Sequence, residues 1–264
     1  MPCVFKPPRA DAQKVWSFMY SYTSRVRYSE VDEQGRLSIP SLVNYLQDCS
    51  TFQSEALGVG PAHIAKTGLA WLLSTWQIEI DELPKFGDEI VVSTWATGFK
   101  GLLASRNFTI SLAGAEPGAE PIMRADSRWF MFDMQAGKPA RIPAEESAPY
   151  EADAANDEPL AMEPAPKLMR VAGEGEPGVP LMVTNAHIDT NHHVNNAQYV
   201  SMALGALPEG AACAPTKLDV RYSIAAKLGD VIYPHIHHTD DATIVTLDNA
   251  EASGKPYATV SLRR

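Results

Sequence analysis

The stretch HIDTNHHVNNAQYV, His187–Val200, puts three histidines, one aspartate and three asparagines into fourteen positions of a chain with seven histidines in all. With its flanks, LMVTNAHIDTNHHVNNAQYVSMALGAL (Leu181–Leu207), it reads as a strand, a polar turn at Asp189–His193 and a helix on which Val200, Leu204 and Leu207 recur near helical spacing. The same plan occurs earlier. RVRYSEVDEQGRLSIPSLVNYLQDCSTFQSEALG (Arg25–Gly58) gives a strand, a polar turn at Asp32–Arg36, and a helix carrying Leu42, Val43, Leu46, Cys49, Phe52 and Leu57. Asp32 thus corresponds to Asp189. Downstream, PKFGDEIVV (Pro84–Val92) is echoed by AKLGDVIYP (Ala226–Pro234), a Gly-Asp turn that launches a strand in each half. Self-similarity at this scale is the mark of an internal duplication.

Strand-like runs follow both turns: EIVVSTWATGF, LLASRNFTISLAG and PIMRADSRWFMFDM in the first half, VIYPHIHHTD, ATIVTLDNAE and PYATVSLRR in the second. A helix followed by a meander of strands, twice over, predicts an α+β chain with an antiparallel sheet wrapped around one helix in each half. Between Ala144 and Gly178 the text turns to Ala, Pro and acids without sustained apolar periodicity, as expected of a linker. The expected organisation is residues 1–145, a linker over 146–178, and residues 179–264.

Composition narrows the function. With 22 Lys and Arg against 32 Asp and Glu, the net charge of −10 argues against non-specific nucleic-acid binding, which relies on many cation–phosphate contacts. Cys3, Cys49 and Cys213 are scattered, with neither CxxC spacing nor a disulfide framework, so a reducing, cytoplasmic setting is expected. The start, MPCVFKPPRADAQKVWSFMY, lacks the apolar core of a signal peptide, and no run approaches the ~20 apolar residues of a membrane span.

Asp189-x-Asn191-x-His193-Val194-Asn195-Asn196 followed by Tyr199 matches the pattern DxNxHVNNxxY. With SIPSLVNYLQDCS, LAWLLSTWQIEIDELPKFGDEIVVSTW and ADSRWFMFDMQAGKPARIP in order before it, the chain after Ser21 resembles the acyl-acyl-carrier-protein (acyl-ACP) thioesterases of plants and bacteria. The resemblance implies a tandem hot-dog fold and hydrolysis of the thioester between a fatty acyl chain and acyl-carrier protein, the terminating step of fatty acid biosynthesis. It implies that the first half forms most of the acyl pocket and the second carries the catalytic groups Asp189, Asn191 and His193. An acyl-CoA thioesterase on the same fold and a catalytically weak acyl-binding protein are the alternatives. Acyl-carrier protein is the implied partner, with no cofactor and no metal, and a homodimer is left open.

The chemistry fits those residue types. Thioester hydrolysis needs a nucleophile, a proton manager and donors for the developing oxyanion. Asp189 can activate water or attack the carbonyl itself, Asn191 can orient water or hold the carboxylate, and His193 can pass a proton to the departing thiolate. A helix starting at Asn195 or Asn196 leaves its first N–H groups facing the same corner, a place for a carbonyl oxygen.

Other groups read as structural. Asp189, His192 and His193 are close in sequence, and His235 and His237 share a strand face, but neither set completes a metal site of known pattern. Nothing around Cys213 is built to lower a thiol pKa. Asp32 has Gln34 and Arg36 where the second half has Asn191 and His193, so it is expected to be a turn residue. Gln47 and Asp48 on the first helix are minor candidates, because other hot-dog hydrolases use a helix carboxylate. Trp71, Trp76, Trp95, Trp129 and Phe130 are expected in the core, some of them along an acyl tunnel. One departure from the family stands out: many relatives carry a glutamate four or five residues before the position of Asp230, plant members a cysteine beside it, and here Ala225 and Ala226 replace them. A glutamate at Ala225, or failing that at Ala226, is expected to raise the rate.

Overall fold

The computed structural model describes residues 19–151, 157–163, 171, 173–208, 215–249 and 255–264. The first half contains β1 (Tyr20–Arg25), α1 (Ile39–Ala56), α2 (Pro61–Thr67), β2 (Leu69–Ile80), β3 (Glu89–Lys100), β4 (Leu103–Leu112), β5 (Met123–Asp133) and β6 (Lys138–Pro139), followed by the single turn α3 (Ala144–Ser147). The second contains β7 (Glu176–Pro177), β8 (Leu181–Met182), α4 (Asn196–Gly205), β9 (Lys217–Tyr222), β10 (Val231–His238), β11 (Ala242–Asn249) and β12 (Ala258–Arg263).

The described strands form one antiparallel sheet in the order β1-β3-β4-β5-β2-β9-β12-β11-β10-β7, with β6 on β5 and β8 on β10. The halves join where β2 pairs with β9, from Thr75 opposite Arg221 to Glu79 opposite Lys217. Both long helices lie against this sheet and touch each other. One core runs through both halves, including Leu42, Leu46, Trp76 and Ile78 from the first and Val200, Leu218, Val245 and Val260 from the second.

Helix α1 starts where Ser38 caps it, its Oγ accepting from the Ser41 N–H at 3.4 Å, and Pro40 sits in the first turn where no N–H partner is needed. Its buried stripe is Leu42, Val43, Leu46, Cys49 and then Gln53. Phe52 and Leu57, which the spacing put on the same face, are 46% and 38% exposed. Phe52 lies one residue off the i, i+4 line and instead packs edge-on against Tyr22 with ring centroids 5.3 Å apart, while Leu57 is the C-cap. Leu207 likewise falls just beyond α4.

The duplication holds bond for bond. In the first half the Asp32 N–H donates to Arg36 O (2.7 Å) and the Leu37 N–H to Pro84 O (2.7 Å); in the second the Asp189 N–H donates to His193 O (2.9 Å) and the Val194 N–H to Ala226 O (3.0 Å). Lys85 N–H to Asp88 Oδ2 (2.7 Å) is matched by Lys227 N–H to Asp230 Oδ2 (2.8 Å). Each Gly-Asp turn thus lies just beyond the loop residue, Pro84 or Ala226, whose carbonyl holds the polar turn from behind.

The sheet's outer face in the first half is covered by residues 157–163. Glu158 O accepts from Trp95 Nε1 (3.2 Å), Glu163 O from Gln77 Nε2 (2.7 Å), and Leu160 N–H donates to Asn107 Oδ1 (2.9 Å). Trp95, 5% exposed, is therefore buried under this cover, while Trp76, 1% exposed, lies in the main core. Among the described residues no helix is long and apolar enough to cross a membrane.

Candidate active site

The Asp189–His193 turn is closed by the isolated bridge between Ile188 and Val194 and by an Asx turn in which Asp189 Oδ1 accepts the Asn191 N–H at 2.8 Å. Helix α4 begins at once. Asn195 is its N-cap, its side-chain oxygen accepting from the Ala197 N–H at 2.9 Å, and Asn196 is the first helical residue. The sequence expectation that the first N–H groups are open narrows here: Asn195 N–H goes to His187 O and Gln198 N–H to Asn195 O. Among the described residues the Asn196 N–H makes no hydrogen bond. Its side chain reaches across the halves, Nδ2 donating to Gln47 Oε1 of α1 at 3.0 Å.

The last residue of the motif, Tyr199, is buried, and its phenol oxygen accepts from the Ala226 N–H at 2.8 Å. Burial pushes this phenol up to about 12, so it stays protonated and neutral. Ala226 is therefore gripped twice, by Val194 N–H on its carbonyl and by Tyr199 on its amide. Tyr222, its ring tilted against that of Tyr199 with centroids 5.8 Å apart, donates to Asn196 O at 3.1 Å. The turn is thus pinned from β9 and from the loop after it.

A cavity of about 1230 Å³ opens at this turn. Asp189, Asn191, His193, Asn195 and Asn196 line it at one side, and Trp71, Phe99, Trp129, Phe130 and Tyr150 of the first half line it elsewhere. Gln47, Asp48, Ser50, Thr51 and Ser54 form the α1 wall. Tyr150 lies inside the stretch read as linker; it is buried and carries no local sequence signal of its role.

His192 is absent from the cavity wall and Asp32 is spent on its own turn, accepting from the Gln34 and Arg36 N–H groups at 2.9 Å and pairing with the Arg36 guanidinium at 3.1 Å. His235 pairs with Asp248 at 2.7 Å, and His237 stands beside it on the outer face of the second half. Among the described residues no group of three or more His, Cys, Asp or Glu is placed to hold a metal ion. Cys49 is buried and its thiol is pushed up to about 12 by that burial. Cys213 lies outside the described residues.

His192 has a second consequence. Its φ of 60° is left-handed, where the duplicate turn has Gly35 at 74°. A side chain there costs about 1–2 kcal/mol, part of which a glycine gives back through its greater freedom in the unfolded chain. His192→Gly is expected to raise Tm by about 2–4 °C without changing turnover. Thermal melting and steady-state kinetics on the variant check this, and a lowered Tm or lost activity would contradict it.

An antiparallel sheet shared by two half-buried helices, with one cavity between a polar turn and an aromatic wall, is a tandem hot-dog, and solved structures agree. An acyl-ACP thioesterase from Bacteroides thetaiotaomicron superposes with a TM-score of 0.80 at 23% identity, covering 93% of this chain and 97% of that one. The 12:0-ACP thioesterase from Umbellularia californica gives 0.74 at 16% identity over 95% and 98%. The chain belongs to the acyl-ACP thioesterase family: the family's N-terminal domain model matches residues 17–150 and its C-terminal domain model residues 178–261. Among curated relatives, the chloroplastic palmitoyl-acyl carrier protein thioesterase of Gossypium hirsutum is 28% identical over 201 residues, 72% of this chain and 47% of that protein. The chloroplastic acyl-[acyl-carrier-protein] hydrolase FATB3 of Cuphea viscosissima is 29% identical over 205 residues, 73% and 47%. The chain spans about half the length of the curated relatives it matches.

Proposed function

We propose that this chain hydrolyses the thioester joining a fatty acyl chain to acyl-carrier protein, releasing free fatty acid, in a reducing, cytoplasmic setting. Residues 1–145, joined by Tyr150 of the connecting stretch 146–178, hold the acyl chain, and 179–264 carry the chemistry. The observation that carries this reading is the continuous cavity from Asp189, Asn191 and His193 to the aromatic wall of the first half. A polar reacting corner and a long apolar recess are what an acyl thioester presents in mirror image.

In this reading Asp189 takes a proton from water as the water attacks the thioester carbonyl, and Asn191, whose N–H already fixes Asp189 Oδ1, holds the attacking water. The oxyanion forms toward the Asn196 N–H, the donor that α4 leaves unpaired and whose helix end favours negative charge. Collapse breaks the C–S bond, a protonated His193 gives its proton to the leaving thiolate, and the proton held by Asp189 passes back to His193 through solvent, restoring both groups. Thioester plus water gives acid plus thiol, with no other reactant.

The family's missing glutamate can be restored at only one of the two alanines. Ala225 is exposed and lines the cavity, whereas Ala226 is fully buried between Val194 and Tyr199. This favours the first of the two expected positions, Ala225, over the fallback Ala226. Ala225→Glu is expected to raise kcat by about tenfold. Ala226→Glu buries an unpaired carboxylate and is expected to unfold the chain at a lower temperature by many degrees. Steady-state rates and melting curves of the two variants decide this; equal behaviour of both would contradict it. The function itself is tested by incubating purified protein with decanoyl-ACP and following both thiol release and free decanoate. Tight binding of acyl chains without release of either product would make it a binding protein.

A further inference from the structure

We infer that the buried Arg106 guanidinium forms the far stop of the acyl cavity, and that the site selects medium-length acyl chains of about eight to ten carbons. This rests on the proposed function for its substrate and deepens it by naming the chain length.

Arg106 sits on the inner face of β4, only 8% exposed, and lines the cavity. Its Nη1 donates to Gln53 Oε1 of α1 and to Thr94 Oγ1 of β3, the latter at 3.2 Å. The guanidinium lies 5.1 Å from the centre of the Tyr150 ring. Tyr150 continues into Phe99 at 6.4 Å, so cation and rings form one wall. These contacts fix the guanidinium in place, because Gln53 is itself 3% exposed and Tyr150 OH is held by Ser54 Oγ at 2.8 Å.

The distance from the reacting corner to that wall can be read along α1. Gln47 touches Asn196 at one end, and Ser54 touches Tyr150 at the other. At 1.5 Å per helical residue the seven steps between them span about 10 Å. An extended chain advances about 1.2 Å per bond, so about eight bonds fill the distance. The hydroxyls of the α1 wall between are already satisfied: Ser50 and Thr51 donate to Gln47 O at 2.8 and 3.0 Å, and Ser54 Oγ to Ser50 O at 2.9 Å, while the Asp48 carboxyl stands on the same wall toward the reacting corner. Back-bonded hydroxyls make few demands on a passing hydrocarbon. A methyl end pushed onto the guanidinium would have to displace its partners, and an unpaired buried charge is costly.

The test uses the full chain and saturated acyl-ACP substrates of six to sixteen carbons. Wild-type kcat/KM should peak at eight to ten carbons and fall at least tenfold by fourteen. Arg106→Met/Gln53→Leu, which removes both ends of the polar stop at similar volume, should raise the ratio of kcat/KM for twelve carbons over eight by at least tenfold, in line with the burial of two to four added methylenes. An unchanged profile in a folded variant overturns the proposal. If the variant fails to fold, calorimetric binding of free fatty acids to wild type decides instead: affinity should stop rising beyond ten carbons, and a steady rise through sixteen overturns it. Wild type that shows this binding limit yet hydrolyses no thioester would refute the proposed function and leave the length stop standing.

Discussion

Asp189→Asn is expected to lower kcat/KM for acyl-ACP by at least 10³-fold while shifting Tm by no more than about 2 °C. The two effects separate because, on the proposed function, Asp189 has two jobs. Structurally, its Oδ1 accepts the Asn191 N–H at 2.8 Å, and an asparagine side-chain oxygen accepts the same bond. Chemically, it is the only carboxylate of the polar turn lining the cavity, and an amide neither takes a proton from water nor attacks a carbonyl. A variant that melts like wild type and still turns over near the normal rate would remove Asp189 from the mechanism.

The second large effect is total. The isolated stretch from Gly178 onward is expected to show no hydrolysis and no cooperative melting. Cutting the chain there strips β2 from β9, exposing the edge from Lys217 to Arg221, and opens the core that joins Val200 and Val220 to Leu46 and Ile78. It also removes Gln47 from Asn196 and the whole aromatic wall from the cavity. Rate measurement and circular dichroism on that fragment check this. Full activity from it would show that the first half is not the acyl pocket.

What the sequence made legible is what local chemistry encodes. The two polar turns, their Gly-Asp supports and the helix starts are short stretches whose residues bond to near neighbours, so their positions were legible, and the bonds from Asp189 N–H to His193 O and from Ala197 N–H to the Asn195 side chain are what closes them. Outside the family resemblance, adjacent histidines were not told apart by sequence; the turn parts them, since His192, in the left-handed position, is absent from the cavity wall while His193 is part of it. Contacts between distant residues were not legible. Asn196 to Gln47 and Tyr150 to Ser54 depend on how two halves and a connecting stretch come together, and no periodicity announces them. Arg106 is the clearest case, an arginine in a strand of alternating pattern whose inward face and partners emerge only when α1 is laid on the sheet. Phe52 and Leu57 erred for a simpler reason: apolar residues on a helix were assigned to one face although the buried stripe continued through Gln53.

The most direct measurement is a comparison of kcat/KM for decanoyl-ACP and decanoyl-CoA with purified protein under one set of conditions. Release of decanoate from both is expected, with acyl-ACP preferred at least tenfold if the carrier's protein surface adds to transition-state binding, which a coenzyme has no surface to do. Equal or greater efficiency with decanoyl-CoA would contradict the assignment of acyl-carrier protein as the natural carrier, and no release from either would contradict the enzyme.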